Sequence, residues 1–330
     1  MKKIFLQLVL VLVSYTLCAS EIPKYALVIH GGAGVMSEKL MTPEIQKQYH
    51  EALNRALQVG DSVLKAGGTC MDAVEKTIMV MEDSPLFNAG KGAVLNHEGI
   101  AELDASVMDG KTLSAGAVAG VKDIKNPIRL ARTVLEKSEH VFLTGSGASQ
   151  FAVQQGFKLV PNSYFITEKR QKELQELLNK EREAGINDKH GTVGCVALDT
   201  YGNIAAGTST GGMSNKKFGR IGDSPIIGAG TYANNATGGF SCTGHGEYFI
   251  RLGFSRDLSA MMEYRQMDIM KACQEEVKKL TQLGGTGGVI GMDKQGKIAM
   301  EFNTSGMFRG YVKSNGEKYT GIFRQPQEKK

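Results

Sequence analysis

Glycine supplies 41 of the 330 residues, against a usual share of about 7%. It gathers in four clusters, at 31–34, 90–120, 191–246 and 284–296. Without a Cβ, glycine permits tight turns and close approach of backbone to backbone or to a small molecule. Between the clusters lie short apolar runs and longer stretches of helical periodicity. The rest of the composition is ordinary for a globular chain: 42% hydrophobic and 22% charged, enough to build a sizeable core.

The periodicities order the elements. Tyr25 to His30 is a short apolar run leading into glycines, expected to be a buried strand and a turn. Apolar residues at Ile45, Tyr49, Leu53, Leu57 and Leu64 predict a helix from Pro43, capped by Thr42. Further helices are expected over 70–81, from Pro127 to about Glu136, and over 146–155, 246–263 and 265–280. Strands are expected over 101–108, 115–121, 141–144, 193–199, 204–208, 287–293 and 297–303, the last two as a hairpin. Strands, helices, strands, helices and strands in that order favour a layered α+β domain over a βαβ repeat. Charges dominate 167–190, which is expected either as a solvated helix or as a mobile linker.

The N-terminus carries Lys2 and Lys3, an apolar run from Ile4 to Val13, then small residues at Cys18, Ala19 and Ser20. That is the order of a secretory signal peptide over 1–20, and the run is too short to span a membrane. The chain is therefore expected to be exported, to the periplasm or outside the cell, with no membrane association after signal removal. Cys70, Cys195, Cys242 and Cys273 remain; buried free thiols are expected rather than disulfides, and no CxxC spacing marks a zinc site. The net charge of +5 is scattered and lacks the basic stripe that nucleic-acid binding requires.

The stretch His190-Gly191-Thr192-Val193-Gly194 joins the charged segment to a buried strand. A threonine hydroxyl is a weak nucleophile that needs a base beside it, and an N-terminal threonine can use its own α-amine. That amine has an unperturbed pKa of about 7.7–8.0. Here the Gly191–Thr192 bond would have to break first. Glycine at 191 leaves room for the hydroxyl to attack the carbonyl, and a mobile upstream tail would tolerate the cut.

Downstream, Ala206 to Gly212 reads AGTSTGG, Gly219 to Pro225 reads GRIGDSP and Ser241 to Glu247 reads SCTGHGE. With HGGAG at His30 to Gly34 and FNAGKGAV at Phe87 to Val94, these motifs resemble the plant-type asparaginase and isoaspartyl peptidase family of N-terminal-nucleophile hydrolases. The likeness runs over essentially all of the chain after residue 20. It implies a four-layer αββα sandwich, cleavage between Gly191 and Thr192, and two subunits, 21–191 (α) and 192–330 (β), that pair as an (αβ)2 heterotetramer.

Site roles follow from the same resemblance. Thr192 matches the nucleophile, and Thr210 the threonine that steadies it. Thr243 and Gly244 match the oxyanion hole, and Asn88 a side chain contacting the catalytic threonine. Arg220 matches the clamp for a substrate α-carboxylate, Asp223 the partner of its α-ammonium, and Gly246 a backbone contact. A guanidinium fork and a nearby carboxylate suit those two groups physically. The implied substrates are β-aspartyl (isoaspartyl) dipeptides and L-asparagine, with L-aspartate released. Catalysis needs no cofactor. A structural sodium ion is implied in the loop 81–91, on the backbone carbonyls of Met81, Glu82, Ser84, Phe87, Ala89 and Lys91. His245 is expected to line the pocket, and His30 to sit in a structural turn. A glycosylasparaginase, or an uncleaved secreted amino-acid-binding protein that keeps Arg220 and Asp223, are the alternatives.

Overall fold

The computed structural model describes residues 24–36, 41–182 and 191–324. The expected signal segment, 1–20, lies outside them, as do residues 183–190 ahead of the Gly191–Thr192 bond.

The first half of the chain runs β1 (Ala26–Gly34), α1 (Pro43–Lys65), α2 (Cys70–Glu82), β2 (Leu103–Asp109), β3 (Ala115–Val121), α3 (Pro127–Lys137), β4 (Phe142–Thr144), α4 (Gly145–Gln154) and α5 (Glu168–Arg182). The second half runs β5 (Val193–Leu198), β6 (Ile204–Thr210), β7 (Thr231–Asn234), β8 (Gly238–Gly244), α6 (Gly246–Leu252), α7 (Phe254–Arg265), α8 (Ile269–Gln282), β9 (Gly287–Asp293), β10 (Ile298–Phe302), β11 (Gly306–Lys313) and β12 (Lys318–Phe323). The α1 cap forms as its sequence demands, with Thr42 accepting from the Ile45 amide. A reciprocal capping box of Thr69 and Asp72 starts α2.

Two sheets result. One has the order β12-β11-β1-β5-β6-β2-β3-β4 and the other β10-β9-β8-β7. All neighbours are antiparallel except β3 and β4. Alternate residues of each strand serve different cores. Leu27, Ile29, Cys195 and Val107 face α1, α2 and α3. Ala26, Val28, Val196 and Ile204 instead meet Ile290 and Met292 of the second sheet. That sheet turns Phe240, Cys242 and Val289 outward onto α7 and α8. Helices, sheet, sheet and helices stack in that order, so the α+β, four-layer αββα expectation holds. Sheets covered on both faces read as continuous apolar runs rather than alternating ones.

Several boundaries differ from expectation. β1 does not turn at His30 but continues through a bulge to Gly34. The helix expected over 246–263 breaks at Gly253, which adopts φ 57°, a left-handed conformation natural to glycine. The next begins at Ile269, capped by Asp268, rather than at 265. β7, β11 and β12 lie where the sequence predicts no strand, while the apolar run around Cys242 becomes β8. The charged segment folds over its first part into α5 instead of staying a mobile linker. Leu174 is buried there, and Arg170 donates from Nε to the Gly92 carbonyl at 2.6 Å. All four described cysteines are free and buried.

Helix α3 sits so close on β3 that a Cβ on Gly116 would lie 2.1 Å from the Ala131 carbonyl oxygen. Gly116→Ala is therefore expected to lower stability by about 1–3 kcal/mol through overpacking. Gly147 of α4 faces open space, and Gly147→Ala should raise stability by about 0.5–1 kcal/mol. Urea unfolding of both variants checks this; equal effects would mean that α3 can shift away from the sheet.

Candidate active site

Antiparallel pairing sets the centre of the site. Val193 of β5 is opposite Ser209 of β6, so the preceding Thr192 comes beside Thr210. Their hydroxyls are 3.2 Å apart. Both point at the Gly191 carbonyl oxygen, Thr192 from 2.8 Å and Thr210 from 3.1 Å. Asn88 also reaches it, its Nδ2 lying 2.6 Å from the same oxygen. Asn88 is itself held at both ends: Nδ2 donates to the Gly212 carbonyl at 2.8 Å, and Oδ1 accepts from the Val94 amide at 2.8 Å. The Thr192 hydroxyl has one proton for two acceptors, so Asn88 and Thr210 are the two donors that polarise the carbonyl and would stabilise negative charge on its oxygen while Thr192 Oγ1 stays close to its carbon.

Behind Thr192 lies His30, which is fully buried and neutral, burial pushing its pKa down to about 3. Its Nδ1 is 3.2 Å from the Thr192 carbonyl oxygen and its Nε2 is 3.0 Å from Ser241 Oγ. A carbonyl only accepts, so Nδ1 carries the proton and Nε2 accepts from Ser241. Ser241 then accepts from Thr208 at 2.7 Å, and Thr208 from Thr231 at 2.6 Å. A one-way file of hydroxyls thus ends on the Thr192 peptide. It needs glycine at 194, where a Cβ would fall 2.0 Å from Ser241 Oγ and 2.3 Å from His30 Nε2.

β8 carries Ser241 and, further on, Thr243 and Gly244. Thr243 is fully buried, and its Oγ1 accepts from the Ala33 amide at 3.3 Å, which leaves its own proton to donate elsewhere. Gly244 follows with φ 147°, hard against the Thr286 carbonyl. Two residues on, a Cβ at Gly246 would be 2.8 Å from Asp223 Oδ1 and 2.9 Å from Arg220 Nη2. Arg220, Asp223 and Gly246 therefore share one small space. Burial raises Asp223, with Arg220 opposing only in part, so that it titrates at about 7. Its Oδ2 is buried with no hydrogen-bond partner among the described residues. Such an orphaned carboxylate oxygen fits an incoming ammonium.

The structure brings Asn88, Gly191, Thr192 and Thr210 into direct contact. It sets Arg220, Asp223 and Gly246 together, and Gly244, two residues before Gly246, lines the same cavity as Gly191 and Asn88. The sequence reading missed Glu247, which grips Arg220 with both oxygens, Nε at 2.9 Å and Nη2 at 2.8 Å. Its place inside SCTGHGE, beside the clamp glycine, was the available signal. His30 is a direct partner of Thr192 rather than a turn residue. His245 is 3.4 Å from Glu247 and edge-on to Tyr248. Lys216 is buried, donating to the Glu102 carbonyl at 3.0 Å, and Lys217 pairs with Glu181 of α5.

In the loop 81–91, the Glu82 carbonyl accepts from Lys91 at 2.7 Å and the Met81 carbonyl from Ser84 at 3.2 Å. Two of the six implied donors are thus already engaged, while the carbonyls of Ser84, Phe87, Ala89 and Lys91 accept no hydrogen bond among the described residues and have the oxygen chemistry a hard cation takes.

Burial alone would raise Glu247, but the hydrogen bonds and charge of Arg220 bring it down to about 2. A depressed carboxylate adds stability above its unfolded pKa of about 4.3, and this is lost as pH falls through the folded value. Its side chain is 44% exposed, so screening leaves about 1 kcal/mol. Glu247→Gln should cost that much at about pH 6, with the gap closing toward about pH 2. A gap that does not change with pH in chemical denaturation would show that the pair contributes no charge-dependent stability.

A family model described as asparaginase matches residues 23–322. The chain is similar to an isoaspartyl peptidase of Escherichia coli (strain K12), 45% identical over 313 residues, 92% of this chain and 97% of that one. It is also similar to an isoaspartyl peptidase/L-asparaginase of Mus musculus, 44% identical over 299 residues and 90% of each chain. One of that name from Xenopus laevis is 41% identical over 302 residues, 91% of this chain and 96% of that one.

Proposed function

The chain belongs to the asparaginase family of hydrolases, and we propose that it releases L-aspartate from β-aspartyl dipeptides and L-asparagine, using Thr192 as a nucleophile freed by cleavage of its own Gly191–Thr192 bond. The observation that carries this reading is the convergence of Asn88, Thr192 and Thr210 on the Gly191 carbonyl.

In the first reaction Thr192 Oγ1 attacks the Gly191 carbonyl carbon. The oxyanion forms under Asn88 Nδ2 and Thr210 Oγ1. The C–N bond then breaks, the hydroxyl proton ends on the departing nitrogen, and Gly191 becomes an ester of Thr192. Water hydrolyses the ester, leaving a Gly191 carboxylate and a free Thr192 α-amine, the base that an N-terminal threonine needs.

In the second reaction Arg220 takes the substrate α-carboxylate and Asp223 its α-ammonium. The approach of that cation favours the ionised form of Asp223. The Thr192 amine accepts the hydroxyl proton while Oγ1 attacks the side-chain carbonyl. Thr243 Oγ1 and the Gly244 amide receive the oxyanion. The ammonium returns its proton to the leaving nitrogen, so that ammonia or an amino acid departs, and water then cleaves the aspartyl ester.

A sodium ion on the carbonyls of the loop 81–91 would brace Asn88 in the same loop and take no part in the chemistry. The enzyme would be made as an exported precursor, and two αβ units would pair.

The test is aspartate release by the purified protein from L-asparagine and from β-aspartyl-leucine, beside Thr192→Ala. Wild type should turn over both, and Thr192→Ala should lose at least ~10⁴-fold in kcat/KM. Equal turnover in the two proteins would remove Thr192 from the mechanism. Saturable aspartate binding with no turnover in either would favour a binding protein.

A further inference from the structure

Asn88 and Thr210 both lean on one further peptide, that of Gly212. Its amide donates to Thr210 Oγ1 at 3.0 Å, and its carbonyl accepts from Asn88 Nδ2 at 2.8 Å. With the Gly212 amide on its oxygen, the Thr210 hydroxyl is left to aim its proton at the Gly191 carbonyl. Gly212 lies two residues past the end of β6, beyond the strand pairing that fixes Thr210. Its φ of 80° is one that glycine adopts readily. Something other than the sheet must hold it.

The side chain of Lys216 is packed against it. A Cβ on Gly212 would lie 3.0 Å from Lys216 Nζ, 3.2 Å from Cδ and 3.5 Å from Cε. The lysine stem therefore runs along the bare face of this glycine. Its side chain is only 1% exposed, a rare place for an ammonium unless it is paired. Nζ donates to the Glu102 carbonyl at 3.0 Å and stands 3.9 Å from Glu102 Oε2 and 4.0 Å from Asp104 Oδ2.

Those anchors belong to β2 and the residue just before it. Glu102 Oε1 is held by Lys122 at 3.1 Å, and Asp104 Oδ1 accepts from the Gly120 amide at 2.8 Å. Asp104 Oδ2 has no hydrogen-bond partner among the described residues. Burial raises the Asp104 pKa, and the charge of Lys216 is the main opposition. Asp104 is also directly opposite Thr210 across β2 and β6. The ammonium is thus moored to the strand beside Thr210, with its stem against the peptide that orients the Thr210 hydroxyl. An apolar side chain could fill the same space but would have no fixed end.

We infer that Lys216 is a positioning residue: moored on Glu102 and Asp104, its stem fixes the Gly212 peptide and, through it, the Thr210 hydroxyl beside Thr192. It acts through Gly212 and exchanges no proton with the reacting atoms. The inference rests on the roles of Thr192 and Thr210 proposed above.

The experiment follows self-cleavage of the full chain by intact mass, in the wild-type and Thr210→Ala backgrounds. Lys216→Met alone would strand the buried Asp104 charge, so the variant used is Asp104→Asn with Lys216→Met, which removes both charges. Lys216→Arg is measured beside it. It keeps the charge, and its planar head replaces the stem along Gly212, so the test stands even where the double variant does not fold. In the wild-type background both should cut at least ~10-fold more slowly. In Thr210→Ala, where the hydroxyl they position is gone, the further loss should be within about twofold. The mature fraction of either should lose kcat on L-asparagine, with KM within about twofold of wild type. Wild-type cleavage rates in both variants, equal losses in the two backgrounds, or a loss carried by KM alone would overturn the assignment while wild-type cleavage left the parent reading intact. A wild-type chain that stays whole would overturn both.

Discussion

The Gly191 carbonyl is the point on which the rest of the site depends. It is met by Asn88, Thr192 and Thr210, each supplied by a different piece of the fold. Thr192 and Thr210 meet because β5 and β6 pair in the register that sets Val193 against Ser209. A slip of one residue would turn one hydroxyl to the opposite face. Asn88 reaches in from the loop after α2, fixed by Gly212 and Val94. The contacts on this carbonyl thus require two strands and one loop to be correct together.

The two sheets supply the rigidity. With helices on both outer faces, the central strands β5, β6 and β9 are buried throughout, and the interior between the sheets is apolar at one end. Near Thr192 it becomes polar instead, with His30, Ser241, Thr208 and Thr231 in a file of hydrogen bonds. Buried polar groups are costly unless every member finds a partner, and this file is joined end to end. Glycine at 194 makes it possible, since any side chain there would occupy the space of the His30–Ser241 bond. The glycine clusters of the sequence are in this sense the complement of the polar file.

What was legible in the sequence followed from strong local signals. α1 and α3 carry a clear apolar stripe and a proline at the first turn, and both were found to within a residue or two. β11 and β12 were not anticipated, because GMFRGYVK and KYTGIF show no clean alternation. α5 hides its docked face: one buried leucine and one buried arginine among many charges leave its periodicity faint. The groups around Thr192 and around Arg220 could be named from their motifs, but Glu247 could not be assigned. A glutamate after a glycine is unremarkable until folding folds Arg220 back against it. His30 was misjudged for a similar reason, since its partner Ser241 is far along the chain and belongs to the other sheet.

The most direct measurement is the intact mass of the purified, denatured protein after a day at neutral pH, for wild type, Asn88→Ala and Thr192→Ala. If Asn88 and Thr210 prime the Gly191 carbonyl for attack by Thr192, wild type gives two chains, the second beginning at Thr192. Asn88→Ala should then cut at least ~10²-fold more slowly, and Thr192→Ala should stay whole. A wild-type chain that remains single, or an Asn88→Ala chain cut as fast as wild type, would contradict the account.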